Sequence, residues 1–157
     1  MPDAKDHPGI YVPPPIVYAG IFMLSILLQR LVPLPTPFFH KRAATIAGIL
    51  AIVTGIFFNL PAIRQFVKTK NTLVTVKPAN SLQTTGIYAL TRNQMYVSLL
   101  LFYTGLGCIV GNWWTMILLP LLVFCVSRFV IRREENYLTR AFGTLYTEYR
   151  SRVRRWI

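Results

Sequence analysis

Acidic residues are scarce in this sequence. Only 5 of the 157 residues are Asp or Glu, against 17 Lys and Arg, and the formal net charge is +12. No carboxylate side chain occurs from His7 to Arg133. A catalytic carboxylate pair, a carboxylate-rich Mg²⁺ site or a Ser/His/Asp triad therefore has no acidic member there, unless Glu134 and Glu135 supply it. Any acidic chemistry belongs to the C-terminal segment.

Cysteine is equally scarce. The two cysteines, Cys108 and Cys125, lie in apolar runs, with no second pair and no histidine nearby in the sequence. This spacing supports neither a structural zinc site nor a disulfide framework. We interpret both as core or lipid-facing residues, and we expect no metal site.

Apolar residues are abundant instead. They make up 54% of the chain, and the mean hydropathy of +0.46 exceeds that of ordinary soluble proteins. The length fits one domain. The apolar runs predict an all-α membrane protein of about four transmembrane helices, with the third and fourth forming a tight hairpin. The predicted spans are about 15–32, 43–63, 94–110 and 113–132.

Several residues refine this prediction. The first run follows an acidic start and ends at Arg30 and a proline-rich turn, so we interpret it as a retained helix and not a cleaved signal peptide. Gly48 and Gly55 favour close packing of the second helix. Pro120 predicts a kink in the fourth.

The basic residues predict the orientation. With four spans, every Lys and Arg except Arg30, Lys41 and Arg42 falls on one side, which by the positive-inside rule is the cytoplasm. Both termini, a polar segment at 64–93 and a tail at 133–157 would then be cytoplasmic, on the inner membrane if the chain is bacterial. The tail predicts an amphipathic helix on anionic lipid, interrupted at Gly143. Its apolar stripe is Leu138, Phe142, Leu145, Tyr149, Val153 and Trp156.

Two cytoplasmic features are candidates for binding. The segment from Thr85 to Tyr96 leads into the third helix, whose N-terminus together with Arg92 favours a carboxylate or phosphate. The other is Glu134-Glu135, at the end of the fourth helix. Adjacent residues do not share a helical face, so we expect one carboxylate to pair with an arginine and the other to face a pocket. The two features meet only if the polar segment and the tail fold over each other.

Three segments of the chain resemble one known family. The first is Pro8-Gly-x-Tyr-Val-Pro-Pro-Pro15, and the second is Gly86-Ile87-Tyr88 with Arg92-Asn93-Gln94-Met95-Tyr96. The third, the most specific, is Arg133-Glu134-Glu135-x-x-Leu138-x-x-x-Phe142-Gly143-x-x-Tyr146-x-x-Tyr149-x-x-x-Val153-x-Arg155-Trp156. With these segments, which cover nearly the whole chain, the sequence resembles the isoprenylcysteine carboxyl methyltransferases and their relatives, the phospholipid methyltransferases.

The resemblance implies one membrane-embedded domain, residues 1–157, without a Rossmann domain. It also implies S-adenosyl-L-methionine as methyl donor, with S-adenosyl-L-homocysteine as product, in a cytoplasmic pocket roofed by the tail. The acceptor would be lipophilic or prenylated and would enter from the bilayer. The residues implied for the cofactor are Gly86, Tyr88, Arg92, Asn93, Tyr96, Glu134, Glu135, Leu138 and Phe142.

The same resemblance assigns Tyr146, Tyr149 and Arg155 to the acceptor. Arg92 and Arg155 are the catalytic candidates, since a guanidinium can hold an acceptor carboxylate or phosphate by bidentate contacts. The sequence departs from the family pattern at Ile87 and Gln94, where the family commonly has proline. Glutamine restores a backbone N–H there, and we expect a looser turn around Asn93.

Other interpretations stay open. The acceptor could be an isoprenylcysteine carboxylate, a phospholipid amine or a thiol. A reductase that shares this helix arrangement would use a nicotinamide cofactor instead. A non-catalytic scaffold or transporter subunit would use the basic residues only to set its topology. Nucleic acid is not expected as a partner, because the basic residues are spread around apolar helices and form no basic domain.

Overall fold

The regular secondary structure is helical, with no strand among the residues that the structure describes. The structure is a computed structural model and describes residues 9–10, 12–68 and 81–156, without the side chains of residues 66 and 68. The α-helices are α1 Pro14–Leu31, α2 Arg42–Lys68, α3 Gln94–Val110, α4 Trp113–Ile117, α5 Leu119–Cys125, α6 Arg132–Phe142 and α7 Thr144–Arg152. A 3₁₀ turn occupies Gly86–Ala89, and a π-helical stretch occupies Val126–Ile131.

Two helices of the described part are long and apolar enough to cross a membrane. They are Pro14–Leu31 and Arg42–Gln65, with mean hydropathies of 1.4 and 2.2. Both leave large apolar side chains exposed, such as Met23 on α1 and Phe57 on α2. Continuous apolar surface of this kind suits lipid better than water. α3 is apolar but has 17 residues, so the number of spans beyond two stays a prediction.

The close packing expected of α2 is present against α3. A Cβ atom built on Gly48 would lie 2.7 Å from the carbonyl oxygen of Gly105, and one built on Gly105 would lie 2.7 Å from the carbonyl oxygen of Gly48. Gly55 lies against Phe102 and the carbonyl of Ser98 in the same interface. The two backbones therefore touch where both helices have glycine.

The hairpin after α3 turns at Gly111 and Asn112. Gly111 has φ +73°, the left-handed conformation that ends a helix and favours glycine. Asn112 caps α4 by accepting from the N–H of Trp114 at 2.9 Å. Its amide also donates to Ser25 on α1 at 3.1 Å. The tip of the hairpin is thus fixed to the first helix.

The predicted fourth helix is not a regular one. The α-helix is interrupted at Leu118, and α5 begins directly after it with Pro120 in its first turn. This interruption agrees with the kink predicted at Pro120. The π-helical stretch then leads directly into α6. Wide turns of this kind are frequent near functional sites.

Helix α2 extends into the polar segment predicted at 64–93. α2 continues as a helix to Lys68, so the first residues assigned to the segment 64–93 belong to that helix. Residues 69–80 of the segment lie outside the described residues. The interruption at Gly143 is confirmed: this residue separates α6 from α7 with φ +55°.

The buried core joins the bundle to the C-terminal segment. Its members come from the N-terminal segment, α1, α3, α5 and the π-helical stretch: Ile10, Tyr18, Tyr96, Tyr103, Leu122, Val126, Val130 and Ile131. Trp156 packs against this cluster from the end of the tail. The tail therefore folds back onto the same end of the bundle as the start of α3.

Candidate functional site

The two features predicted on the cytoplasmic side do meet. A guanidinium nitrogen of Arg92, Nη1, lies 3.1 Å from Oε1 of Glu135. Arg155 binds the same carboxylate with Nε at 3.0 Å and Nη2 at 2.6 Å. The side chains of Arg92 and Glu135 are 10% and 8% exposed, whereas that of Arg155 is 37% exposed. One buried carboxylate is thus shared by two arginines, and the cluster has an excess positive charge.

Glu134 has a different environment, as expected for adjacent acids. Its Oε2 accepts a hydrogen bond of 2.7 Å from the hydroxyl of Tyr96. Desolvation raises the pKa of the Glu134 carboxyl, and the nearby charge of Glu135 raises it further, while the Tyr96 hydrogen bond lowers it. Glu135 therefore serves an ion cluster, and Glu134 is a separately held acid with a raised pKa.

The end of the tail is fastened to the loop before α3. The N–H of Arg92 donates to the carbonyl of Arg154 at 3.1 Å. The carbonyl of Arg155 accepts from the hydroxyl of Thr91 at 3.1 Å and from the amide of Asn93 at 2.9 Å. Asn93 therefore faces the tail in this structure. Arg155 is held at both its main chain and its guanidinium.

Tyrosines line the contact between α7 and this loop. Nη1 of Arg92 donates to the hydroxyl of Tyr146 at 3.2 Å, and the hydroxyl of Tyr149 donates to the carbonyl of Tyr88 at 2.7 Å. All three tyrosines are buried. Burial raises the pKa of Tyr88, Tyr146 and Tyr149, so all three phenols are neutral at physiological pH.

The apolar stripe predicted along the tail is wrong at Leu145. Leu145 is 64% exposed, whereas its neighbour Tyr146 is 1% exposed. The positive φ of Gly143 changes the direction of the chain between α6 and α7. A helical periodicity continued across the glycine therefore places the wrong residues on the buried face of α7. Leu138 and Phe142, which precede the break, are half-buried on α6.

Gly86 begins the 3₁₀ turn at the edge of this site. It has φ +64°, and a Cβ built on it would lie 3.3 Å from Oε1 of Gln65. Gln65 on α2 also donates to the hydroxyl of Thr85 at 3.2 Å. The end of α2 thus supports the turn that holds Tyr88.

A cleft of about 580 Å³ lies between this loop and α7. Its lining combines apolar side chains with hydroxyls and one pair of opposite charges: Leu82, Thr84, Thr85, Ala89, Leu145, Glu148, Tyr149, Arg152 and Val153. Arg152 and Glu148 approach to 3.9 Å, and both are well exposed. The cleft shares Tyr149 with the buried contacts described above.

Two buried polar atoms near the ion cluster have no hydrogen-bond partner among the described residues. They are Nε of Arg92 and Oε1 of Gln94, on residues either side of Asn93. Unsatisfied buried groups are uncommon in proteins, and an ordered water or a ligand is one explanation for them. Gln94 is 1% exposed, at the first position of α3.

Sequence reasoning missed contacts made by the N-terminal part of the chain. The hydroxyl of Tyr18 donates to the carbonyl of Tyr96 at 3.1 Å. Nη1 of Arg133 donates to the carbonyl of Gly9 at 2.7 Å. A lone tyrosine in an apolar helix was the available signal for the first contact. The second uses a main-chain carbonyl, which leaves no signal in the sequence.

Comparison with known proteins places the chain in a family. The sequence model of the phospholipid methyltransferase family matches residues 43–145, and the chain belongs to that family. The match includes Arg92, Glu134 and Glu135, whereas α1 and Arg155 lie outside it. The family is one of methyltransferases, and the two apolar helices agree with a location in the membrane.

Two relatives are similar over part of the chain. An uncharacterized protein of Haemophilus influenzae is 36% identical over 63 residues, which is 40% of this chain and 100% of that protein. The protein-S-isoprenylcysteine O-methyltransferase of Schizosaccharomyces pombe is 35% identical over 72 residues, 46% of this chain. The chain spans only 30% of the length of the yeast enzyme in that match. No solved structure matches the chain.

Proposed function

We propose that this protein transfers a methyl group from S-adenosyl-L-methionine to a lipophilic acceptor at the membrane, most specifically to the carboxylate of an isoprenylcysteine-like molecule. The observation that supports this proposal is the convergence of three segments on one ion cluster. Arg92 before α3, Glu135 on α6 and Arg155 in the tail meet at one end of an apolar bundle. The family of methyltransferases to which the chain belongs supplies the reaction class.

The residues of the site fit such a cofactor. Its carboxylate suits the guanidinium of Arg92, whose buried Nε has no hydrogen-bond partner among the described residues. The amine and ribose hydroxyls of the cofactor are hydrogen-bond donors, and they suit Oε1 of Gln94 or the carboxylate of Glu134 as hydrogen-bond acceptors. The cleft of about 580 Å³, with its mixed apolar and polar lining, is within the usual range for a ligand of this size; it reaches the site at Tyr149, and Arg92, Gln94 and Glu134 are not among its lining residues.

The cofactor would supply a sulfonium methyl group, which an acceptor oxygen takes as the sulfur–carbon bond breaks. The protein has to align the two partners and exclude water. No general base is needed when the acceptor is already a carboxylate. Arg155 suits the task of holding it, because its side chain is partly exposed while its main chain is fixed to Thr91 and Asn93.

Glu135 would then act indirectly. Its carboxylate is occupied by two arginines, so it sets the position of both guanidinium groups. Glu134 is the acid better placed to meet a cationic ligand, since its partner is a tyrosine hydroxyl and not an arginine. This division of roles assigns each carboxylate one task.

A phospholipid amine is the second candidate acceptor. The family model that matches residues 43–145 is that of the phospholipid methyltransferases, whereas the isoprenylcysteine enzyme of yeast matches over fewer residues. An amine acceptor would have to lose a proton, which a carboxylate acceptor does not. The two acceptors are separable by the chemistry of the product.

The first test is cofactor binding by the detergent-solubilised protein. S-adenosyl-L-methionine and S-adenosyl-L-homocysteine should raise its melting temperature, because a ligand at about 100 times its Kd adds about 2.7 kcal/mol of stability. Nicotinamide cofactors should have no effect. A rise with NADPH alone would favour a reductase, and no rise with any of these would favour a non-catalytic scaffold.

A further inference from the structure

We propose that Tyr18 on α1 is a positioning residue that fixes the contact between Tyr96 and Glu134. This inference rests on the proposed function, because it concerns an acid of the proposed site. The hydroxyl of Tyr18 donates to the main-chain carbonyl of Tyr96 at 3.1 Å, across 78 residues of sequence. Both tyrosines are 5% exposed.

Tyr96 is held at two points by two different helices. Its carbonyl accepts from Tyr18 on α1, and its hydroxyl donates to Oε2 of Glu134 on α6 at 2.7 Å. Tyr96 is the third residue of α3 and lies directly after the irregular loop. A hydrogen bond to its carbonyl therefore limits how far its ring can shift relative to Glu134.

A separate contact ties the N-terminal segment to the helix that bears Glu134. Nη1 of Arg133 donates to the carbonyl of Gly9 at 2.7 Å. Ile10, next in the chain, is 4% exposed and packs in the same buried cluster as Tyr18, Tyr96 and Ile131. The start of the chain thus attaches to both α3 and α6 at the level of the acids.

The N-terminal partners in these contacts, Gly9 and Tyr18, lie outside the part of the chain that the family model matches. That match begins at residue 43, after α1 has ended at Leu31. Tyr96 and Glu134 are inside the match, but the residue that supports their contact is not. α1 therefore contributes to the proposed site in addition to being long and apolar enough to cross a membrane.

The protonation of Glu134 reports this support directly. The hydrogen bond from Tyr96 favours the ionised carboxylate, so a looser contact raises the pKa of Glu134. Within the part of the chain that the structure describes, the other titratable groups that act on it are Glu135 on its own helix, Tyr88 in the 3₁₀ turn and Tyr146 on α7. None of these groups contacts Tyr18 in a described hydrogen bond. Removing the Tyr18 hydroxyl therefore acts on Glu134 through Tyr96.

The test compares Tyr18→Phe with Tyr103→Phe in the full chain in detergent. Tyr103 is 3% exposed in the same cluster, and its hydroxyl has no hydrogen-bond partner among the described residues. Titration of the infrared band of the protonated carboxyl, assigned with Glu134→Gln, gives the midpoint without any substrate. We expect Tyr18→Phe to raise the midpoint by about 0.5 pH unit, a threefold change in ionisation constant, and Tyr103→Phe to leave it unchanged.

A double variant separates positioning from general loosening of the bundle. In a Tyr96→Phe background, Tyr18→Phe should give no further change, because the hydroxyl through which it acts is gone. An unchanged midpoint in Tyr18→Phe, or an equal rise in Tyr103→Phe, would overturn the proposal. Failure of the wild type to transfer methyl groups would refute the proposed function and leave this titration interpretable.

Discussion

Nη2 of Arg155 lies 2.6 Å from Oε2 of Glu135, while the carbonyl of Arg155 accepts hydrogen bonds from Thr91 and Asn93. One residue near the end of the chain therefore connects the acid on α6 to the loop before α3. Arg155 lies outside the region that the family model matches. The C-terminal residues are therefore part of the proposed site.

Arg155→Ala is expected to lower the rate of methyl transfer by about 10- to 100-fold, the range for loss of a charge-assisted hydrogen bond to an acceptor carboxylate. Cofactor affinity should change little, because Arg92 remains beside Glu135. Steady-state kinetics and a calorimetric cofactor titration measure the two effects. Arg150→Ala, an exposed arginine of the same tail, is the matched control. Equal loss of rate and cofactor affinity would contradict a role in holding the acceptor.

Glu135→Gln is expected to destabilise the protein by about 3 kcal/mol, near the lower end for breaking a buried ion pair because Arg155 retains solvent contact. It should also weaken cofactor binding, because Arg92 and Arg155 lose the group that positions them. Chemical denaturation and calorimetry give both values. Glu148→Gln removes the exposed pair with Arg152 and should cost below about 1 kcal/mol. Similar losses of stability in the two variants would show that the buried cluster stabilises the protein no more than the exposed ion pair does.

Glu134→Gln is expected to raise the melting temperature at neutral pH and to weaken its dependence on pH. The folded state raises the pKa of Glu134 by desolvation, so the unfolded chain loses this proton more readily. The stabilisation that this raised pKa gives the folded state is complete below the unfolded-state pKa of about 4.3. It is lost as the pH rises through the folded-state pKa. Glutamine avoids this loss and still offers an oxygen to Tyr96.

Thermal unfolding between about pH 4 and about pH 8 measures this effect. The difference between variant and wild type should grow with pH. Curves that run parallel over the whole range would show that Glu134 has the same pKa in both states. The same variant should bind the cofactor less tightly in spite of its higher melting temperature.

Gly48→Ala is expected to destabilise the bundle by about 1–3 kcal/mol, since its methyl group would meet the backbone carbonyl of Gly105, which cannot rotate away. Gly20→Ala on α1 is the control, because nothing lies within 4 Å of the added carbon. This control should be neutral or slightly stabilising. Melting temperatures of the two variants decide the matter, and a neutral Gly48→Ala would exclude backbone contact between α2 and α3.

The local parts of the fold were predictable from the sequence. Apolar runs placed α1, α2 and α3 within a few residues, apart from the end of α2, and Gly111 marked the end of α3. These features depend on hydropathy and backbone conformation, which neighbouring residues determine. Leu145 was misplaced for the same reason, since its predicted face ignored the rotation at Gly143.

The members of the ion cluster were among the residues named from the sequence, but their pairings were not predicted. The resemblance named Arg92, Glu135 and Arg155, but neither it nor the residue spacing indicated that both arginines bind one carboxylate. The contacts of Tyr18 and Gly9 join residues 78 and 124 positions apart. Such contacts arise from tertiary packing, for which a single sequence contains no periodic signal.

The most direct test of the proposed activity is transfer of a labelled methyl group from S-adenosyl-L-methionine by the protein reconstituted in phospholipid vesicles. The acceptor is an N-acetylated prenylcysteine, and the control acceptor is the same molecule with its carboxyl group blocked. We predict labelled product only from the free carboxylate, with the label released as methanol by mild base, as expected of a methyl ester. Base-stable label in the phospholipid, or no transfer to any acceptor, would contradict carboxyl methylation.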